Sequence, residues 1–155
     1  MEHVTREDAS NWLGPSTERR PLGRALGTER LAINYYELAP GETVGFGYHK
    51  HDDQEEVFYV IEGTATFETA DGDVDVAADE AIRFAPGEWQ LGRNDGDETL
   101  VLLGLGAPAD SGGADMRREC PDCGERTPNR IESAEDGQAV VTVCEACGAE
   151  TGRYR

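Results

Sequence analysis

The sequence predicts an all-β protein, an antiparallel sandwich or barrel followed by a small C-terminal unit held together by a metal. Three observations lead there. Between residues 31 and 105, short runs rich in Val, Ile, Tyr, Phe and Leu are broken repeatedly by Pro-Gly, Glu-Gly and Asp-Gly. No segment of useful length carries a helical period. All four cysteines fall in the last third of the chain, in two identical C-x-x-C-G pairs.

Residues 1–29 read as an N-terminal arm, polar and interrupted by Gly14, Pro15, Pro21, Gly23 and Gly27. One short helical turn is expected in it, with Trp12 and Leu13 pinning it to the body. The body spans 30–106. Its first strand covers 31–38 and is closed by Pro40-Gly41. A second covers 43–49, and a third, 56–61, turns at Glu62-Gly63 into a fourth, 64–69. Asp71-Gly72-Asp73 precedes a strand at 74–77; another at 80–85 ends at Pro86-Gly87. A strand at 89–93 follows, and Asn94-Asp95-Gly96-Asp97 leads into the last, 99–105. Residues 107–117, with Pro108, Ser111, Gly112 and Gly113, read as a linker. The unit at 118–150 holds a strand at 126–131, a turn around Asp136-Gly137 and a strand at 139–143, and 151–155 form a tail. So few apolar residues cannot make an independent core without a staple.

The chain has 155 residues, 32 acidic against 14 basic, with Lys50 its only lysine and a formal charge of -18. Such a surface repels nucleic acid and anionic lipid, so nucleic acid is not an expected partner. A uniformly acidic, lysine-poor composition resembles that of halophilic archaeal proteins. The segment Met1-Glu2-His3-Val4-Thr5-Arg6-Glu7-Asp8 lacks an apolar signal-like region, and no run approaches membrane-spanning length. A cytoplasmic location with no membrane contact is therefore expected, and with it reduced cysteines.

Tetrahedral zinc takes four thiolates at about 2.3 Å, and each C-x-x-C turn delivers two of them. Cys120 and Cys123 form one pair, Cys144 and Cys147 the other, and Gly124 and Gly148 follow where the chain must curl around the sulfurs. The arrangement resembles a zinc ribbon over residues 118–150. With every coordination position filled by cysteine no place is left for substrate, so the zinc is structural. Iron in a rubredoxin-like site uses similar pairs and stays open as an alternative. Ribbons of this kind contact nucleic acid or protein, and the acidic charge of the module favours a protein partner.

The second cluster lies in the body. In a strand, positions i and i+2 share a face, so His49 and His51 can both point inward. Glu56 opens the next strand on the same face as Phe58 and Val60. Two imidazoles and a carboxylate suit iron, manganese, nickel, zinc or copper. This stretch resembles the first motif of the cupin superfamily, small double-stranded β-helix (jelly-roll) barrels, with matches at His49, His51, Glu56 and Gly63. The second motif is similar at Gly87 and Asn94, and the resemblance covers residues 30–106.

The glycine expected upstream of the histidines is displaced, with Gly41 its nearest equivalent, and Ala85 stands where the second motif has a proline. The departure that matters is at a ligand position. Three residues after Gly87, where the family places a third histidine ligand, this chain has Gln90. Gln90 then ligates through its carbonyl oxygen, or stands off the metal and leaves a position open, or the barrel holds no metal and serves as a ligand pocket. Phe58 and Trp89 are the expected pocket lining. Apolar residues alternating outward imply a homodimer through sheet faces.

The resemblance implies metal-dependent chemistry on a small organic molecule. Oxygenase chemistry asks least of the protein, needing two histidines, a carboxylate and open positions, and is the first reading. Isomerisation needs an acid and a base, for which Tyr48 and Glu88 are the candidates. Two alternatives stand beside the oxygenase: a non-catalytic ligand-binding or regulatory module that meets a protein partner through its ribbon, and an isomerase of sugars or other small molecules.

Overall fold

Period-two alternation along the chain builds strands with one buried face, and the computed structural model describes residues 1–134 and 137–155. The strands are β1 (Glu18–Arg20), β2 (Ala32–Leu38), β3 (Tyr48–His51), β4 (Glu55–Glu62), β5 (Thr64–Thr69), β6 (Gly72–Ala77), β7 (Ala81–Phe84), β8 (Gln90–Arg93), β9 (Leu100–Ala107), β10 (Ala114–Cys120), β11 (Glu125–Ser133), β12 (Val140–Cys144) and β13 (Glu150–Tyr154). A 3-10 turn (Arg6–Asp8) and the short α1 (Leu22–Leu26) complete the arm.

Two sheets result, with orders β1-β2-β9-β4-β7 and β13-β12-β11-β10-β3-β8-β5-β6. The core lies between them. Leu38, Phe58, Val60, Phe84, Leu100 and Leu102 come from the first sheet and meet Ala65, Phe67 and Val76 from the second. Each such side chain stabilises the fold by about 1.5–3 kcal/mol on full burial. The other face of β4 presents Tyr59 and Ile61 to solvent. Asn94, deeply buried after β8, donates to Leu38 O at 2.9 Å and Glu98 O at 2.8 Å.

Five expectations change. The strand expected at 43–49 is regular only at Tyr48–His51, and Thr43 makes one isolated bridge to Arg93. Gly45 and Gly47 interrupt the run, and Gly47 lies so close under β10 that a Cβ there would stand 2.8 Å from Arg117 O. The arm is part of a sheet, because β1 pairs along the edge of β2. Leu13 is exposed and anchors nothing; Trp12 instead carries the guanidinium groups of Arg19 and Arg24 over its ring, at 5.3 and 5.6 Å. The tail is β13, paired with β12.

The largest change concerns the linker. Residues 114–117 pair antiparallel with β3, Ala114 opposite His51 and Met116 opposite His49. The C-terminal strands thus continue the second sheet and bring a small apolar cluster of their own, Ala134, Ala139, Val141 and Val143. Within them β11 changes partner midway: 125–128 pair with β10 and 129–133 with β12. Pro128, which has no N–H to give, sits at the changeover and accepts the Glu145 N–H on its carbonyl at 2.9 Å. Of the turn expected around Asp136-Gly137, Asp136 lies outside the described residues; the Gly137 N–H donates to Ala134 O at 2.8 Å. Among the described residues no helix is long and apolar enough to cross a membrane.

Candidate metal centres and cavity

The C-terminal cluster follows from two tight turns. Cys120 ends β10 and Cys144 ends β12, and both are buried; Cys123 and Cys147, in the turns, are exposed. The N–H groups of Gly124 and Gly148 close the turns onto Cys120 O and Cys144 O, each at 2.9 Å. Both glycines have positive φ, 71° and 82°, the left-handed region that glycine enters without strain. One ligand atom from each cysteine lies within 4.8 Å of all the others. Cys120 Sγ is 3.6 Å from Cys147 Sγ, and Cys123 Sγ is 3.9 Å from Cys144 Sγ. A tetrahedron with metal–sulfur bonds of about 2.3 Å has edges of about 3.8 Å, between those two values. Thr127 Oγ1, 3.1 Å from Cys144 Sγ, draws that thiol down to about 6, whereas the sulfurs of Cys147 and Cys120 push Cys123 up. Four sulfurs in this geometry form a site for structural zinc.

The second cluster bridges the two sheets. His49 and His51 project from β3 and Glu56 from β4, with ligand atoms again within 4.8 Å of one another. Glu56 Oε2 lies 3.8 Å from His49 Nε2 and 3.4 Å from His51 Nε2. His49 Nδ1 sits 2.9 Å from Gly47 O, a contact in which Nδ1 is the donor, so Nε2 is the ring nitrogen on the side of the cluster. Burial pushes the Glu56 carboxyl up, but hydrogen bonds and charge from His49 and His51 outweigh it and hold it at about 2. The carboxylate is therefore ionised through the neutral range, as a ligand must be.

Gln90 pairs across the sheet with His49 and is 1% exposed. Its Nε2 lies 3.0 Å from His49 Nε2 and donates to Glu56 Oε2 at 2.8 Å. Its Oε1 is buried without a hydrogen-bond partner, as is His51 Nδ1. A half-turn of the amide exchanges Nε2 for Oε1 and aims an oxygen at the three ligand atoms. This donor set, with an unsatisfied oxygen beside it, fits a divalent metal. His49, His51 and Glu56 are the residues that would hold it.

The cluster opens on a cavity of about 400 Å³. Phe58 lines it, as the alternation of β4 requires. Trp89 does not: one residue before the inward Gln90, it faces the other side of the sheet and stacks on Tyr48, ring centroids 5.2 Å apart. Tyr48 is thus turned away as well. Glu88 is spent in a turn, accepting the Ala85 N–H at 2.7 Å. The acid–base candidates drawn from the sequence both miss the cavity.

What the sequence reading missed comes from the two ends of the chain. The cavity wall includes Arg19 from β1 and Tyr36 from β2, which stand opposite each other in register. It also includes Asn129, Arg130 and Ile131 of β11 and Glu145 of the second cysteine turn. Burial pushes the Tyr36 phenol up; the Arg19 charge opposes that rise and the Glu56 charge adds to it.

Comparison with known proteins agrees with this architecture. Residues 34–105 match the model of the Cupin domain family. The match takes in the strands that carry His49, His51, Glu56 and Gln90. Among curated proteins none matches the chain. A protein of Acidithiobacillus ferrooxidans provisionally assigned as a sugar phosphate isomerase is 25% identical, with 84% of this chain covering 77% of that one at a TM-score of 0.56. A cupin-superfamily sugar phosphate isomerase from Silicibacter pomeroyi is 18% identical over 97% of this chain and 92% of its own, with a TM-score of 0.61. The polyketide cyclase RemF from Streptomyces resistomycificus is 22% identical over 79% and 89%, with a TM-score of 0.65. At 18% and 22% identity the last two speak for the fold alone.

Proposed function

We propose that the protein is a metal-dependent cupin enzyme that isomerises a small polar molecule, moving a proton between adjacent carbons of a hydroxycarbonyl compound. One observation carries this reading: His49, His51 and Glu56 open on a cavity that also holds Tyr36 and Glu145. A metal at the first three residues would polarise a carbonyl oxygen, which acidifies the neighbouring C–H. Gln90 keeps His49 and Glu56 in place. Tyr36, its phenol pushed up and therefore neutral, is suited to give a proton to an oxygen, and Glu145 is placed to take one from carbon. The 25% identical relative, provisionally assigned as a sugar phosphate isomerase, supports isomerase over oxygenase chemistry.

The test is proton exchange. The protein, with its metals quantified per chain, is incubated in D₂O with dihydroxyacetone and glyceraldehyde and, separately, with their monophosphates, and deuterium at the carbon next to the carbonyl is followed by NMR. Metal-dependent incorporation that disappears in Tyr36→Phe and Glu145→Gln is expected. Occupied metal sites without incorporation would favour a second reading, a non-catalytic ligand-binding module. That reading draws on Gln90, a neutral amide in place of a third imidazole.

A further inference from the structure

The chain spends its few cations on its many carboxylates. Arg6 pairs with Glu37, Arg20 with Glu18, Arg83 with Glu55, Arg93 with Asp73 and Asp95, and Arg126 with Glu68 and Glu119. Arg19 is different. Its neighbours in β1, Glu18 and Arg20, point to the other face of the strand and satisfy each other at 2.8 Å. Arg19 itself points into the metal cavity and has no carboxylate within 4.0 Å among the described residues. Its Nε is buried without a hydrogen-bond partner. The guanidinium is held in position by two rings, Trp12 at 5.3 Å and Tyr36 at 5.9 Å. The side chain is half-buried with the Tyr36 hydroxyl as a neutral partner, so its buried Nε is the donor left for a ligand to complete.

We propose that the cavity takes a small organic anion, its carboxylate or phosphate group bound by Arg19 with the Tyr36 hydroxyl beside it, and a second oxygen of the ligand directed at His49, His51 and Glu56. The assignment rests on the metal-cavity reading above and gives its substrate a charge. Arg19 supplies a planar fork of N–H donors that matches carboxylate or phosphate oxygens, and a lysine in the same place would not. The N-terminal arm is then the element that selects for charge. A neutral analogue leaves the buried Nε without a partner and forgoes the charge-assisted contact, so it should bind less tightly.

Three probes share one carbon skeleton and separate the possible sources of charge: glycerate, glycerol 3-phosphate and glycerol. Their dissociation constants are measured by calorimetry on the metal-loaded full chain, with metal per chain determined in every sample. At least one anion is expected to bind more tightly than glycerol, and which one does so identifies the group. Arg19→Gln should weaken that anion by about 10–100-fold, Arg19→Lys by less, and Tyr36→Phe by severalfold, with metal content unchanged throughout. If Arg19→Gln does not fold, the Lys and Phe variants carry the test. Wild-type protein that binds neither anion more tightly than glycerol overturns the proposal, as does anion affinity indifferent to all three substitutions. A barrel that takes up no metal overturns the metal reading instead, and the dependence of anion binding on Arg19 then decides this proposal alone.

Discussion

The two metal clusters hold a cation in opposite ways. The four cysteines enclose their site with ligands of one kind, two of them buried in strand ends and two carried on glycine-closed turns. The His49, His51 and Glu56 cluster has three ligands from two sheets, an amide beside them and a cavity on the open side. The first arrangement spends every coordination position on the protein, so its metal contributes to folding. The second keeps positions free, so a metal held there could still meet a ligand from the cavity. Loss of the first should be felt as lost structure and loss of the second as lost function.

The sharpest way to break this contrast is Cys144→Ser. Structural zinc is worth about 10–16 kcal/mol in small zinc-dependent units, and Cys144 is fully buried. The variant should lose one zinc per chain and become sensitive to limited proteolysis across residues 114–155; unchanged zinc content would refute the structural assignment. Next in size is His51→Ala. It should weaken metal binding at the open cluster by more than about 100-fold, beyond the loss of an outer partner, while zinc at the cysteines and the circular dichroism spectrum stay as they were. A variant that keeps both metals would exclude His51 as a ligand.

Smaller still is Gln90→Leu. If the amide acts by orienting His49 and Glu56, metal affinity falls about 10–100-fold, read by competition with a chelator. A loss as large as that of His51→Ala would instead make Gln90 a ligand in its own right. The mildest test addresses the seam between the two regions. Gly47→Ala forces a Cβ to within 2.8 Å of both Arg117 O and Arg118 Cγ. It should cost about 1–3 kcal/mol in denaturant unfolding, and open-site metal affinity should fall with it. Separate responses would show that the regions are independent.

Those regions were not equally legible in the sequence. The ligands announce themselves because a metal demands particular side chains at short, fixed spacings, and i, i+2 in a strand or C-x-x-C in a turn are local facts. Part of the core was legible for a similar reason, since Ala65 and Phe67 alternate visibly with Thr64, Thr66 and Glu68. Trp89 was misplaced by a single step of that alternation, which is all it takes to change faces. Arg19, Tyr36 and β10 left no local signal. Ala114-Asp115-Met116-Arg117-Arg118-Glu119 is a polar run with one buried Met, and nothing in it says that its partner lies more than sixty residues earlier. The Arg19–Tyr36 pairing is likewise a matter of long-range register.

The pairing of β10 with β3 has a practical consequence for anyone wishing to trim the chain. Ending the polypeptide at the glycines before Ala114 looks like a clean way to isolate the segment that matches the cupin domain model. It would instead strip one side of the strand that carries His49 and His51, leaving four residues of backbone donors and acceptors with a single registered partner, Gln90, on the other side. An uncovered strand edge recruits the nearest strand of another molecule. The truncated protein would aggregate through the segment that carries two of its metal ligands, so the acidic C-terminal strands act as a built-in chaperone for that edge.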